Sequence, residues 1–220
     1  MPIPEKYLAD FEELGIYHIY NRTNNNDRLF YTDENRVFFL KQYKKYLSPF
    51  LDTYCWCLLP NHFHFLVRIK PIKSIQNSIL IKDLNDRSLI EKRFIDGQSN
   101  ISELIEHAFR RFFQSYSLAF NKAFNRKGNL FYKPFKRIEV KKESHFTQCI
   151  VYIHANPLKH GLIKNFDQYQ WSSWSTYLSD APTNLLRKEV IDWFGNKEQF
   201  VKAHVDLIQY YYNIDVSIEE

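Results

Sequence analysis

The chain contains few of the residues on which several large enzyme classes depend. It has five glycines in 220 residues, and none of them falls into a Gly-x-Gly-x-x-Gly or Walker-type spacing. Because both motifs need glycine where the backbone approaches a phosphate, a dinucleotide-binding or P-loop enzyme is close to excluded. Three cysteines, an odd number in a chain of this length, argue against a disulfide framework and favour a reducing cytoplasm.

Long hydrophobic runs are also missing from the sequence. The densest apolar stretch, Tyr54 to Val67, is interrupted by Pro60, Asn61 and two histidines, and it is shorter than the roughly 18–20 residues of a membrane span. Residues 1–6 have no apolar core of the kind found in secretory signals. We therefore expect no membrane partner. A hydrophobic fraction of 45% predicts one well-filled globular domain, or such a domain with an appendage.

The net charge of +5 is concentrated in one part of the sequence. Residues 101–142 contain ten Lys and Arg but only three Asp and Glu, so the rest of the chain carries a net charge of −2. The same stretch is rich in Phe and Tyr, whose rings stack on unpaired bases at roughly 1–3 kcal/mol each. We therefore predict a surface for single-stranded nucleic acid, although each ring taken singly is also typical of a helix core. The predicted DNA-binding residues are Arg110, Arg111, Arg126, Lys127, Lys133, Lys136, Arg137, Lys141 and Lys142.

The pattern of apolar and turn-forming residues predicts alternating strands and helices. Strands are expected at residues 15–21, 53–59, 62–69 and 134–140, and helices at residues 33–47, 102–124 and 145–155. This order implies an α+β fold of the ferredoxin-like type, an antiparallel sheet with helices packed on it. We expect one domain over residues 1–182, with the polar stretch 71–100 as an inserted excursion. A C-terminal helical extension is expected over residues 183–220, with its helix at 188–212.

Three details of the helices are also predicted. Asp33 is expected to cap the first helix, Ser144 is expected to cap the one at 145–155, and Pro157 is expected to limit that helix. Four residues of the first helix lie at helical spacing and are expected on one stripe: Val37, Leu40, Tyr43 and Leu47.

Two histidines in a predicted strand form a candidate metal site. His62 and His64 are separated by one residue, so both imidazoles lie on the same face of the strand. Their nitrogens can converge on one metal ion at about 2.0–2.2 Å, while Phe63 and Phe65 face the core. Considered alone, His-x-His is also compatible with strand histidines that only form hydrogen bonds to their neighbours.

Two cysteines offer another interpretation of the same hairpin. Cys55 and Cys57 precede the histidine pair, and a Cys-x-Cys followed by His-x-His could hold a structural zinc ion if the strand register places all four on one face. The cysteines are equally compatible with small buried core residues.

One face of the helix predicted at 145–155 carries residues suited to phosphoryl transfer. Gln148, Tyr152 and Asn156 are spaced by four residues and therefore lie on the same face. A tyrosine can attack a phosphate and form a covalent ester that conserves the energy of the broken bond. Amide oxygens suit a hard divalent cation. The chain has 15 tyrosines, so spacing leaves open that Tyr152 is a core residue and Asn156 a helix-end residue.

Longer segments around these residues resemble a known family. Residues 58–66, Leu-Leu-Pro-Asn-His-Phe-His-Phe-Leu, resemble the signature of the HUH single-strand endonucleases in the Pro-Asn-His-x-His form of single-tyrosine transposases. Residues 152–161, Tyr-Ile-His-Ala-Asn-Pro-Leu-Lys-His-Gly, resemble the Tyr-Ile-x-x-Asn-Pro-x-Lys-x-Gly segment of the REP-associated tyrosine transposases. Residues 125–131 and 169–173 are similar to two further segments of that family. The resemblance spans about residues 17–177.

The resemblance implies a metal-dependent endonuclease and strand transferase that cuts single-stranded DNA near hairpins through a 5′-phosphotyrosine intermediate. It implies that His62, His64 and Asn156 are metal ligands for Mg²⁺ or Mn²⁺, and that Tyr152 is the nucleophile. The implied partner is single-stranded or hairpin DNA, with a homodimer left open, and the implied location is the cytoplasm in association with the nucleoid. His18, on the first strand, is interpreted as structural.

Two other functions remain open on the sequence. A hairpin-binding protein of the same fold without turnover explains the basic, aromatic stretch equally well, and only the transferase needs His62, His64 and Tyr152 together. The zinc-stabilised hairpin is the other alternative, and it depends on Cys57.

Overall fold

Four strands form one antiparallel sheet in the computed structural model, which describes residues 7–24 and 27–213 but not the side chains of Phe166 and 208–213. The strands are β1 (Ile16–Arg22), β2 (Leu51–Leu58), β3 (His62–Ile69) and β4 (Lys136–Glu139), in the order β2-β3-β1-β4. This is the order of a ferredoxin-like sheet, so the predicted α+β fold class is confirmed.

Within the described residues the chain forms eight α-helices, and the three helices predicted for the main domain are all present. They are α1 (Asp33–Leu47), α2 (Ile72–Leu80), α3 (Leu89–Ile95), α4 (Ile101–Ala123), α5 (Glu143–Lys159), α6 (Trp174–Leu178), α7 (Arg187–Phe194) and α8 (Lys197–Asn213). None of the described helices is both long and apolar enough to cross a lipid bilayer.

The alternation of side chains along the strands gives the sheet two different faces. On one face, Ile19, Phe63 and Phe65 are fully or almost fully buried in a large core that also includes residues of α1 and α4. The other face carries the histidines of β1 and β3, and α5 packs across it against β2 and β3. The sheet therefore separates the main hydrophobic core from the face that holds the candidate site.

Phe39 of α1 lies at the centre of the main core. Its side chain is fully buried. The ring centroids of five other aromatic residues lie between 4.8 and 6.3 Å from it, namely Phe30, Phe63, Phe65, Phe112 and Tyr116. Such edge-on and tilted contacts stabilise an aromatic core beyond the area that they bury.

The start of α1 and the stripe along it differ from the sequence prediction. Thr32, and not Asp33, is the N-cap, since its side chain accepts a hydrogen bond from the backbone N–H of Asn35. Asp33 is instead the first residue of the helix, where the helix dipole stabilises its negative charge. Val37 is 58% exposed and lies outside the buried stripe, which passes through Phe39, Gln42, Tyr43 and Leu47.

The helix α5 is longer than predicted at both ends. It begins at Glu143 with Lys142 at the N-cap position, so Ser144 lies inside the first turn rather than capping it. It continues through Pro157 to Lys159, and the backbone N–H groups of His160 and Leu162 bond to the carbonyls of Asn156 and Pro157. The packing of this buried turn outweighs the resistance of a residue before proline to helical geometry.

The inserted stretch 71–100 folds onto the main core. It forms α2 and α3, whose Ile75, Ile79 and Phe94 are buried in the same core as the aromatic residues of α1. These three residues anchor the segment to the domain, whereas its apolar residues Leu80, Ile81, Leu84 and Leu89 are exposed.

The C-terminal extension covers the outer side of α5. The single helix expected at 188–212 is divided into α7 and α8 at Gly195, whose φ of +92° only glycine adopts readily. Packing of α8 against α5 then covers the side of α5 that faces away from the sheet.

A chain of buried hydrogen bonds joins α8 to α5. Nδ1–H of His204 donates to the carbonyl of Phe200 at 2.8 Å, so Nε2 of His204 accepts from Nδ1–H of His154 at 2.9 Å. Nε2 of His154 then accepts from the hydroxyl of Ser173 at 2.8 Å. All three polar side chains are fully buried, and the chain of bonds needs both imidazoles neutral.

We expect Phe39→Ala to destabilise the fold by about 3–5 kcal/mol, because the smaller side chain leaves a cavity among five aromatic rings. Val37→Ala, two residues earlier on the exposed side of α1, is the matched control and should change stability by less than about 0.5 kcal/mol. Urea unfolding followed by circular dichroism measures both values. Equal effects of the two substitutions would contradict the described packing of α1.

Acidification should destabilise the protein in part through His204. Burial lowers the pKa of His204 to about 4, whereas an unfolded histidine titrates near its ordinary pKa of about 6.5. As the pH falls from about 6.5 to about 4, the unfolded chain therefore binds a proton that the folded chain excludes, and stability is lost. Above about pH 6.5 this contribution is fully present.

His204→Gln keeps an acceptor for His154 and removes this titration. Its unfolding free energy should depend less steeply on pH between about 4 and 6.5, by up to about 1.4 kcal/mol per pH unit. His145→Gln, at an exposed histidine of α5, serves as the control. A wild-type slope retained in His204→Gln would show that another group causes the acid sensitivity.

Candidate functional site

Packing of α5 on the sheet brings Tyr152 to the histidines. The half-buried ring of Tyr152 meets the rings of His64 and His18 edge-on, with centroids 5.9 Å apart in both contacts. His64 comes from β3, His18 from the neighbouring strand β1, and Tyr152 from the middle of α5. The structure therefore brings together two of the residues singled out in the sequence, and it adds His18 to them.

The ring of His62 is held in one tautomer. Its Nδ1 lies 2.7 Å from Oδ1 of Asn61, and a carboxamide oxygen only accepts hydrogen bonds. Nδ1 therefore carries the proton and Nε2 has a free lone pair. This Nε2 is buried and has no hydrogen-bond partner among the described residues, which is unusual for a buried polar atom. The ring centroid of His62 lies 5.2 Å from that of His64.

The ring of His64 is held by a second histidine. Nδ1 of His64 lies 3.0 Å from Nε2 of His18, and both side chains are buried. A ligating histidine is usually oriented by a hydrogen bond to its other ring nitrogen, and His18 is placed to provide that bond. From the sequence, His18 was interpreted as structural. Only the pairing of β1 with β3 reveals its contact with His64.

Burial keeps these histidines neutral. It lowers the pKa of His62 to about 3, with a further effect from His160, and it lowers the pKa of His18 to about 3. Burial also lowers the pKa of His64 well below its ordinary value, with the neighbouring His62 acting in the same direction. Neutral imidazole is the form that binds a metal ion, so the site holds its histidines in that form at neutral pH.

Asn156 lies one turn after Tyr152 on the same helix. The side chain is fully buried, and its Nδ2 donates to the backbone carbonyl of Tyr152 at 3.1 Å. Its Oδ1 is buried and has no hydrogen-bond partner among the described residues. Gln148, one turn before Tyr152, is exposed.

The unpaired atoms of this site fit a divalent metal ion. The lone pair on Nε2 of His62 and the amide oxygen of Asn156 are donors of the types that bind Mn²⁺ and related ions. In residues 7–24 and 27–213, no three His, Cys, Asp or Glu side chains are arranged as a metal-binding group. A site built on His62 and His64 therefore needs a ligand of another kind, which the amide of Asn156 can provide.

Two residues after Pro157 also reach the site, and sequence analysis did not single them out. The ammonium of Lys159 lies 5.1 Å from the ring centroid of Tyr152, and burial lowers its pKa. The ring of His160 lies 4.8 Å from that of His62. Because α5 was expected to end near residue 155, helical spacing did not predict that Lys159 and His160 would lie near Tyr152 and His62.

The cysteines do not form a zinc site with the histidines. Cys57 pairs with His64 across β2 and β3, so the two residue types do share a face of the sheet. Within the described residues, however, these side chains are not arranged as a metal-binding group of three or more His, Cys, Asp or Glu. Burial raises the pKa of Cys55 and of Cys57 well above the ordinary value. Both side chains pack with Cys149 in the core under α5, which argues against the zinc-stabilised hairpin.

The nine basic residues predicted to bind DNA lie on both sides of the sheet. Arg110 and Arg111 are exposed on α4, whereas Lys141 and Lys142 are exposed at the start of α5. Arg137 is buried, forms an ion pair with Glu106 and donates to the carbonyl of Ala9 at 2.5 Å.

Of the others, Arg126 pairs with Asp27 at 3.2 Å, and the ammonium of Lys136 lies 5.5 Å from the ring centroid of Tyr20. Lys127 and Lys133 are exposed. Binding of DNA by these nine residues stays a prediction, and the internal contacts of Arg137 show that this residue also stabilises the fold.

Comparison with solved structures finds a similar fold in a REP-associated tyrosine transposase bound to a REP hairpin. The TM-score is 0.53 and the sequence identity is 16%, and the match covers 79% of this chain and 86% of that chain. At this identity the likeness shows a shared fold. No protein-family model matches the sequence. No curated protein matches it either.

We expect nitrogen NMR of ¹⁵N-histidine-labelled protein to find His62 as the Nδ1–H tautomer at neutral pH. The acceptor oxygen of Asn61 is the reason, so Asn61→Ala should release the ring and shift the signal towards the Nε2–H tautomer. Asn61→Asp keeps an acceptor at the same place and serves as the control. An Nε2–H tautomer in the wild-type protein would contradict the described hydrogen bond.

Proposed function

We propose that this protein is a metal-dependent endonuclease and strand transferase for single-stranded DNA, which cuts near DNA hairpins and forms a 5′-phosphotyrosine. The observation that carries the proposal is the contact of Tyr152 with His64, beside the buried lone pair of His62. The sequence motifs around these residues resemble the REP-associated tyrosine transposases. The fold is similar to that of such a transposase bound to a REP hairpin.

In this proposal His62, His64 and Asn156 hold a Mg²⁺ or Mn²⁺ ion. When bound, that ion supplies the positive charge that polarises the scissile phosphate. Asn61 and His18 orient the two imidazoles, because Asn61 accepts a hydrogen bond from Nδ1 of His62 and His18 shares one with Nδ1 of His64.

Tyr152 acts as the nucleophile on the scissile phosphate. A bond forms between its phenolic oxygen and phosphorus while the bond from phosphorus to the 3′ oxygen breaks. The phenol loses its proton, the 3′ oxygen takes one up, and the products are a 5′-phosphotyrosine and a free 3′-hydroxyl. Lys159, whose ammonium lies beside the Tyr152 ring, stabilises negative charge on the phenolic oxygen as the proton leaves.

In this proposal, exposed cations near this face bind the phosphates of the DNA backbone. Lys141 and Lys142 are exposed and directly precede α5, the helix that carries Tyr152. Contacts of such residues to phosphates hold DNA without reading its bases, so hairpin recognition requires other contacts.

A 3′-end-labelled hairpin oligonucleotide with Mn²⁺ tests the nucleophile. The wild-type protein should form a covalent adduct that migrates slowly on a denaturing gel, because the 5′ end of the downstream fragment stays attached to tyrosine. Tyr152→Phe should reduce adduct formation by at least about 10³-fold, since the attacking oxygen is removed. Tyr31→Phe, at a tyrosine that is 51% exposed on the other side of the sheet, is the control and should match the wild type.

The other outcomes separate the competing functions. An adduct that persists in Tyr152→Phe would assign the nucleophile to another residue. Hairpin binding by the wild-type protein with no adduct in the presence of Mg²⁺ or Mn²⁺ would instead identify a hairpin-binding protein of this fold without turnover.

A further inference from the structure

A cleft lies on the side of the sheet opposite Tyr152, where the end of α1 meets α4 and the inserted segment 71–100. Its volume is about 40 Å³. This is smaller than the roughly 300–1,000 Å³ that is usual for sites of drug-sized ligands. It exceeds the roughly 10–15 Å³ that one water molecule needs, so the cleft suits only a small ligand. The residues that line it and carry the argument are Lys45, Tyr46, Lys82, Glu91, His107 and Arg111.

The single carboxylate among these residues is already satisfied. One oxygen of Glu91 pairs with the ammonium of Lys82 at 2.5 Å. The other oxygen accepts from the backbone N–H of Ser88 at 2.7 Å and from its hydroxyl at 2.8 Å. Glu91 is buried, so this pair contributes no net charge to the cleft and leaves the remaining cations without a counter-charge.

Two further cations line the cleft around one aromatic ring. The ammonium of Lys45 and the guanidinium of Arg111 lie 5.2 and 5.3 Å from the ring centroid of Tyr46. Neither forms an ion pair with a described residue. Two cations without a carboxylate partner give the cleft a positive charge that favours an anion.

His107 adds an unsatisfied polar atom to the same cleft. Its Nε2 is buried and has no hydrogen-bond partner among the described residues. Burial, together with the neighbouring Arg110 and Arg111, lowers the pKa of His107. An unpaired buried nitrogen is costly, and a bound oxygen atom would satisfy it.

We propose that this cleft binds a phosphate group, with Arg111 and Lys45 pairing with its charge and Nε2–H of His107 donating a hydrogen bond. Arg111 offers the planar pair of donors that matches two phosphate oxygens. The phosphate belongs either to the DNA backbone, in which case the inference rests on the proposed function, or to free phosphate. Lys82 and Glu91 belong to the inserted segment 71–100, so this segment builds one wall of the cleft.

Arg111→Gln and Arg110→Gln form the matched pair for the test, because Arg110 is the adjacent exposed arginine on α4 and does not line the cleft. Lys45→Gln with Lys44→Gln is the second pair, on α1, and it keeps the test usable if Arg111→Gln fails to fold. Inorganic phosphate is titrated into the full ¹⁵N-histidine-labelled chain, and the ring nitrogen signals of His107 are followed by NMR. Hairpin DNA binding is measured by fluorescence anisotropy over a range of salt concentrations.

For free phosphate, the titration should shift the His107 signals in the wild type and in Arg110→Gln, and the shift should be lost in Arg111→Gln. For the DNA backbone, Lys45→Gln should reduce the slope of log K against log salt by about 0.7–0.9, the value for one phosphate contact, and Lys44→Gln should not. With free phosphate, the His107 shift should likewise be lost in Lys45→Gln and kept in Lys44→Gln. The arginine pair is compared with free phosphate alone, because Arg110 is itself a predicted DNA-binding residue. Members of each pair that behave alike with every probe used on that pair would overturn the proposal.

The test is independent of catalysis. A salt-slope difference between Lys45→Gln and Lys44→Gln without any covalent adduct would support the cleft and reject the proposed transferase. A covalent adduct that depends on Tyr152, with no difference within either pair, would support the transferase and reject the proposed phosphate site in the cleft.

Discussion

The packing of α5 across one face of the sheet is the constraint on which the candidate site depends. This packing removes water from His18, His62 and His64, and the loss of hydration keeps their imidazoles neutral. The same packing sets the ring of Tyr152 against two of them. Because α5 continues past Pro157, it also brings Lys159, and His160 directly after it, to the rings of Tyr152 and His62.

Much of the remaining structure holds that helix and those rings in place. Asn61, in the turn between β2 and β3, fixes the tautomer of His62, and His18 from the neighbouring strand holds His64. On the outer side of α5, the buried bonds between His154 and His204 tie it to the C-terminal extension. A site that needs atoms placed within a few tenths of an ångström requires such support, since unsupported side chains occupy several rotamers.

The differences from the sequence predictions have local and long-range causes. Strands and long helices were predicted because their periodicity is a local property, and β1, β3 and α4 agree with the prediction within one or two residues. The N-cap at Thr32 is also local, since it depends on reciprocal hydrogen bonds with Asn35 that the choice of Asp33 overlooked. The burial of Ile75, Ile79 and Phe94 of the inserted segment arises only from packing on the main core, so the segment looked like an excursion in the sequence.

The sequence by itself determined that two histidines share one strand face, that Tyr152 and Asn156 share one helix face, and that an antiparallel α+β sheet connects them. Each of these follows from the fixed repeat of a strand or a helix. Only the tertiary structure decided that His18 meets His64, that Lys159 and His160 reach the same site, and that Arg111 lines a cleft while Arg110 does not. These relations depend on which surfaces pack together, and burial, which sets the charge of each imidazole, exists only after that packing has formed.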